Sequence, residues 1–261
     1  MSGNELLISL IISLIISAAV LLTHSLTSGG TFLAFLLMNG ISYCIGLKYS
    51  LYLIFAFFLI AVADKIADMI SGKVKENKKP RNIIQVACNG LIAGIMAVIA
   101  CLTDKHVFIV SFMSVISESL CDSLASDLGV LSHSDPVDIL TFKTVDRGLS
   151  GGISVLGTLS AAAGGIITAV FCILIKGSAL TGSLVIFLSS FLGVLFDSVL
   201  GSSLQPKYRC RICGKMTDSA VHCGEASEYI KGYGFFSNNM VNFSSNIFTS
   251  LISIVLYMLL I

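Results

Sequence analysis

The chain has 261 residues, 55% of them hydrophobic and 12% charged, with a formal net charge of +1. Ordinary globular chains carry roughly 25% charged residues, so the composition excludes a soluble protein. Several apolar runs approach or exceed the roughly 18 residues needed to cross a bilayer, which predicts an all-α polytopic transmembrane bundle of about seven or eight spans.

The expected spans lie near 5–23, 29–47, 49–63, 83–102, 107–127, 153–176, 180–204 and 243–261, within a single membrane domain covering 1–261. The first run, Leu6 to Leu22, follows Glu5 and no basic residue and lacks a small-residue cleavage site. It is therefore expected to stay as a span and not to be removed as a signal. With eight spans, the loops near 64–82, 128–152 and 205–242 share one side of the membrane. Those loops and their edges hold 13 Lys and Arg residues, whereas Lys48, Lys105 and Lys176 fall on the other side. A 13-to-3 split is what the positive-inside rule expects of cytosolic loops. Both termini then lie outside, in the cell membrane, and any site built from these loops faces the cytosol.

Early in the chain, His24 sits in a polar turn and Asn39 lies mid-span, where an amide needs a partner within the bundle. Asp64 and Asp68 stand one helical turn apart ahead of the basic cluster KVKENKKPR, which fixes topology or attracts a phosphate. Gln85 and Asn89, four apart, share a helix face and point at a common polar partner.

The stretch from Ser117 to Gly152 concentrates the chemistry. Acids beside a membrane span are costly and mark functional sites by default. Glu118 and Asp122 share a face, but Asp127 is five residues beyond Asp122, an offset of about 140° on a straight helix. Either the helix ends or bends near Ser126, or the two aspartates have different jobs. Lys143 and Arg147 follow, then Gly148, Gly151 and Gly152, which allow backbone to approach an anion ahead of a span starting at Ile153. The order of residues is not that of a Walker A loop. Further on, Gly193, Asp197 and Gly201 recur every four residues, placing a carboxylate between glycines on one face.

In the last loop, Cys210, Cys213, His222 and Cys223 supply four soft ligands of the kind that close a structural zinc site. The remaining cysteines (Cys44, Cys88, Cys101, Cys121, Cys172) fall mostly in spans and read as apolar filler. Asn238, Asn239 and Asn242 gather before the final span, to complete a metal or phosphate shell or to cap the helix.

The blocks QVACNG, CDSLASDLG, TFKTVDRGLSGGISVLGTL, GVLFDSVLGSSLQ, HCG and NNMVNFSS, in this order, resemble the transmembrane protein 19 and phytyl-phosphate kinase-like family of integral membrane proteins. The likeness runs from about Asn39 to the end, and the Cys-rich loop is similar to that of archaeal-type members. It implies a membrane-embedded kinase that transfers a phosphoryl group from CTP or another nucleotide to a prenyl monophosphate, giving the diphosphate. On that likeness Asp122, Asp127 and Asp197 hold Mg2+, Lys143 and Arg147 are catalytic with them, and Gly148, Gly151, Gly152, Asn239 and Asn242 bind the nucleotide. Two positions depart from the family pattern: Leu124 stands where a Trp is usual, and Ser237 where an Asp is usual. A cytidylyltransferase acting on a lipid phosphate would use the same residues, and a transporter would show similar intramembrane acids and glycines. No nucleic-acid partner is expected.

Overall fold

The computed structural model describes residues 3–71 and 80–260. Its frame is eight helices: α1 (Gly3–Leu22), α2 (Ser28–Ile45), α3 (Leu47–Ser71), α4 (Ile83–Thr103), α5 (His106–Gly129), α6 (Val155–Leu174), α7 (Leu180–Ser203) and α8 (Asn238–Leu260). Among the described residues, all but α3 form a set of seven helices long and apolar enough to cross a membrane. Helix α3, with 25 residues, is about 37 Å long and packs against α5 and α2.

The helices run alternately up and down, as the links between their ends show. At one end the N-termini of α2 and α4 are joined by Thr27 N–H to Arg81 O and Arg81 N–H to Ser25 O, both 3.0 Å. There too, Ser154 at the start of α6 donates to Gly129 O at the end of α5, 3.1 Å apart. At the opposite end Lys48 Nζ donates to Lys176 O at 2.7 Å, and His106 Nε2 lies 2.9 Å from Gly177 O. The three long connections therefore emerge together. Among the described residues they and their edges carry Lys65, Arg81, Lys143, Arg147, Lys207, Arg209, Arg211, Lys215 and Lys231, against Lys48, Lys105 and Lys176 at the other end. Lys73, Lys75, Lys78 and Lys79 of the basic cluster lie outside the described residues.

Helix α5 is the axis. It packs against α3, α4, α6, α7 and α8, and its middle is buried on every side. Without a hydrophobic force between helices in lipid, such an interface relies on close packing and hydroxyl bonds. Ser117 meets Thr168 of α6 at 2.6 Å, and Ser111 meets Ser250 of α8 at 3.0 Å. Farther out, Asn39 bonds Ser13 of α1 at 2.9 Å, so its amide has the interhelical role.

Several boundaries differ from the sequence reading. Helix α3 runs eight residues past Ala63, with Ala63 and Ala67 buried and Lys65 and Ile66 exposed between them. The 64–82 loop is thus helical at its start. Helix α5 neither ends nor breaks at Ser126 but continues to Gly129. Helix α6 starts at Val155, two residues late, with Ser154 accepting from Gly157 N–H as its cap. Helix α8 starts at Asn238, so the three asparagines lie in its first turns.

The connections hold short antiparallel pairs. Strand β1 (Val137–Asp138) pairs with β2 (Gly152–Ile153) and closes the α5–α6 connection. In the α7–α8 connection, β3 (Lys207–Arg209) lies between β4 (Met216–Thr217) and β7 (Glu228–Lys231), and β5 (Val221–His222) pairs with β6 (Glu225–Ala226).

Candidate functional site

A cavity of about 520 Å³ opens at the loop end, between α5, α6, α7 and the Gly148–Gly152 turn. Asp122, Asp197, Arg147, Gly148, Gly151 and Gly152, all singled out in the sequence, line it together. The turn is seated by glycine chemistry. Gly151 has φ +83°, and a Cβ there would run into Ser202 at the end of α7. The turn is also held by Asp138, which accepts from Ser202 Oγ and, at 2.8 and 3.1 Å, from the N–H groups of Thr141 and Leu140. Burial pushes the Asp138 carboxyl up, but those bonds from Ser202, Thr141 and Leu140 outweigh it and hold the group below the usual carboxylate range.

Asp197 Oδ2 is buried without a hydrogen-bond partner. Asp197 is within electrostatic reach of Asp122 and Glu118, and Asp122 of Asp127 and Arg81. Four carboxylates thus influence one another in series beside one cavity, and two of them, Asp122 and Asp197, line it. Arg147 faces the same space, and its guanidinium currently pairs with Asp135 at 3.3 Å and donates to His133 O at 3.1 Å.

The remaining predicted residues are placed otherwise. Asp127 does not line the cavity, although it stays within electrostatic reach of Asp122 from further along α5. The two aspartates therefore have different surroundings. Lys143 is exposed in the loop and lies outside the cavity lining, as does Asn239. Asn242 points to the other side of α5, where its Nδ2 donates to Asn89 Oδ1 at 3.1 Å and its Oδ1 is buried without a partner. Asn238, one turn earlier, is the asparagine that lines the cavity. Asn89 has the polar partner its spacing suggested, but Gln85 does not share it. Gln85 instead caps α4, its Oε1 accepting from Asn82 N–H at 2.9 Å.

Beside this cavity lies a narrow groove of about 150 Å³, walled by α1–α5. Apolar side chains such as Leu37, Leu53 and Phe57 line its length, and Arg81, Gln85, Asn89 and Ser119 form its polar end. Arg81 links the two spaces, since it lines the groove and lies in reach of Asp122. The sequence placed Arg81 at the end of a basic cluster that fixes topology or attracts a phosphate, without singling it out. Its α2 neighbours, across 54 residues of chain, gave no local signal.

The Cys-rich connection brings Cys210, Cys213, His222 and Cys223 together, with one ligand atom of each within 4.8 Å of the others. Among the described residues this is the one close cluster of three or more His, Cys, Asp or Glu ligand atoms, so the aspartates do not form a second. The backbone N–H of Cys213 directed at Cys210 Sγ brings that thiol down to about 6. Asp218, in the same connection, reaches back to the glycine turn. Its Oδ2 accepts from Ser150 N–H at 2.8 Å and from Ser150 Oγ at 2.6 Å, while Oδ1 pairs with Lys207 at 2.7 Å. Lys207 is almost fully buried, and burial holds its ammonium below the usual lysine range.

Residues 11–250 match the model of a family described as integral membrane protein DUF92. Protein PGR of Arabidopsis thaliana is 32% identical over 95% of this chain and 95% of its own. Membrane protein MJ0933 of Methanocaldococcus jannaschii is 28% identical over 78% of this chain and 83% of its own. No solved structure matches the chain.

Proposed function

The chain belongs to the integral membrane family DUF92, and from that premise we propose that it is a nucleotide-dependent lipid-phosphate kinase of the phytyl-phosphate kinase type. The observation that carries the reading is the joining of Asp122, Asp197, Arg147 and the Gly148–Gly152 turn in one cavity beside an apolar groove with a cationic end. The turn offers backbone N–H groups and Arg147 a guanidinium, the two usual means of holding phosphate. A prenyl tail of a monophosphate lies in the groove, which puts its phosphate at Arg81, next to Asp122. A phosphate oxygen attacks the γ-phosphorus of CTP or another nucleotide, the bond from that phosphorus to the β-phosphate oxygen breaks, and the nucleoside diphosphate leaves. The lipid phosphate is already an anion, so no side chain has to remove a proton.

The residues fit Mg2+. That ion is commonly held by one or two carboxylates and substrate phosphates, and not by a full protein cage. Asp122 and Asp197 supply two carboxylates, and the unpartnered Asp197 Oδ2 is the atom in want of a cation. When bound, the ion neutralises charge on the phosphates. Arg147 does the same for the phosphoryl group in flight, so catalysis is mostly positioning and electrostatics. Positive-inside reasoning puts the loop end in the cytosol, where nucleotides are available.

The test is to incubate purified protein in detergent with geranylgeranyl monophosphate, Mg2+ and γ-labelled CTP or ATP. Label in a lipid diphosphate, lost in Asp122→Asn, is expected. Folded protein that labels no prenyl phosphate with either nucleotide refutes the reading.

A further inference from the structure

The Cys-rich connection has a geometry that a reduced, metal-free loop does not require. In a tetrahedral zinc site, ligand atoms about 2.0–2.3 Å from the metal stand roughly 3.3–3.8 Å from one another. Here His222 Nδ1 lies 3.6 Å from Cys213 Sγ and 3.2 Å from Cys223 Sγ. A disulfide between any two of the cysteines would leave the third thiol and the imidazole without a reason to converge. The backbone bends needed to aim these groups are also present: Gly214 has φ +73° and Cys223 +53°. A left-handed cysteine is strained unless the surroundings demand it.

The same connection is fastened to the cavity. Between the two ligand pairs, Asp218 grips Ser150 through two bonds, and Lys207 Nζ donates both to Asp218 at 2.7 Å and to Ser150 O at 2.6 Å. Met216 N–H donates to Asp146 Oδ2 at 2.8 Å on the other side of the turn. Short strands of two to four residues are too small to hold such a latch in place by themselves.

We propose that Cys210, Cys213, His222 and Cys223 bind one zinc ion, and that this ion holds Asp218 and Lys207 in position to fix the Ser150–Gly152 turn of the cavity. Zinc organises the loop that carries the latch, and the latch presents the turn. None of the four ligands lines the cavity of Asp122 and Asp197, and the inference does not depend on which reaction that cavity performs.

The experiment uses the full-length protein in detergent and needs no activity. Metal analysis is expected to give one zinc per chain, and less than a tenth of that in Cys213→Ser and Cys223→Ser. Cobalt substitution is expected to give the intense visible bands of a tetrahedral thiolate site. Hydrogen exchange followed by mass spectrometry then reads the turn. Removing the ion from the wild-type protein with a chelator is expected to speed exchange in residues 146–154 at least tenfold, with the middle of α5 unchanged. Asp218→Asn is expected to keep the zinc and still speed exchange in that turn, which separates the latch from the metal and guards against a variant that fails to fold. Substoichiometric zinc, a disulfide found among Cys210, Cys213 and Cys223, or zinc removal that leaves the turn's exchange unchanged would overturn the proposal.

Discussion

Ser245 of α8 donates to Glu118 Oε1 of α5 at 2.8 Å, and both residues are fully buried one helical turn inside the bundle from Asp122. The contact sits where α7 also comes closest: a Cβ added to Gly193 would lie 2.7 Å from Glu118 Cγ and would strike Thr249. Glu118 is thus the keystone under the cavity floor, facing the metal-binding candidates without lining the cavity. Glu118→Gln retains the acceptor and nearly the volume, and is expected to unfold within about 1 kcal/mol of wild type. Glu118→Ala loses the bond and leaves a void, costing about 1–3 kcal/mol. Thermal unfolding in detergent measures both.

The two aspartates of the acidic block are expected to separate in function. Asp122→Asn and Asp197→Asn, each in the cavity wall, are expected to lower turnover by about a hundredfold or more. Asp127→Asn is expected to lower it less, because that side chain does not line the cavity. Initial rates at saturating Mg2+ decide the ranking, and equal losses at all three positions would contradict it.

The two basic residues divide in the same way. Arg147 lines the cavity, whereas Lys143 is exposed beyond it. Arg147→Ala is expected to cut kcat by about a hundredfold and Lys143→Ala by less than a few-fold. Asp135→Ala removes only an exposed ion pair, worth about 0–1 kcal/mol, and releases Arg147 for phosphate. It is expected to leave stability nearly unchanged and turnover undiminished.

These contrasts mark how far the sequence is legible. The spans are, because a run of apolar residues long enough for a bilayer is a local signal. The cavity-lining acids Asp122 and Asp197 are, because a carboxylate in such a run is costly and needs a reason. The end of α3 is not, because beyond Ala63 the buried face is the single residue Ala67 and three charges, Asp64, Lys65 and Asp68, interrupt the apolar run, which reads as loop. Nothing local marks Asp218 and Lys207, because their role comes from a partner, Ser150, that lies 68 and 57 residues away in the chain. The sequence leaves Asn242 between a ligand shell and a helix cap, and only the family likeness implies nucleotide binding there. Asn238 and Asn242 are one turn apart on a shared face of α8, so they differ in depth: Asn238 reaches the cavity and Asn242, deeper in the bundle, meets Asn89.

Asp138 gives a pH prediction with a fixed sign. Its carboxyl is held below the usual range, so its bonds to Ser202 and Thr141 stabilise the fold above the unfolded value of about 3.9 and fade as pH falls through the lower folded value. Asp138→Asn is therefore expected to be less stable than wild type at neutral pH. The gap is expected to narrow once pH drops below about 4. Melting temperatures of the two proteins from neutral to acidic pH show it, and a gap that widens on acidification contradicts the assignment.

The groove is expected to set chain-length preference. Ala34→Phe fills the apolar part of a space of about 150 Å³ and is expected to raise KM for geranylgeranyl monophosphate at least tenfold while changing it little for a short-chain prenyl phosphate. Equal effects on both substrates would place the tail elsewhere.

The central claim is tested most directly by following two labels in parallel, with wild-type protein, a prenyl monophosphate, Mg2+ and CTP labelled at either the γ- or the α-phosphate. Phosphoryl transfer predicts γ-label in the lipid product and α-label only in the released nucleotide. Label from the α-phosphate in the lipid would identify a cytidylyltransferase instead, and no lipid label from either would contradict the kinase account altogether.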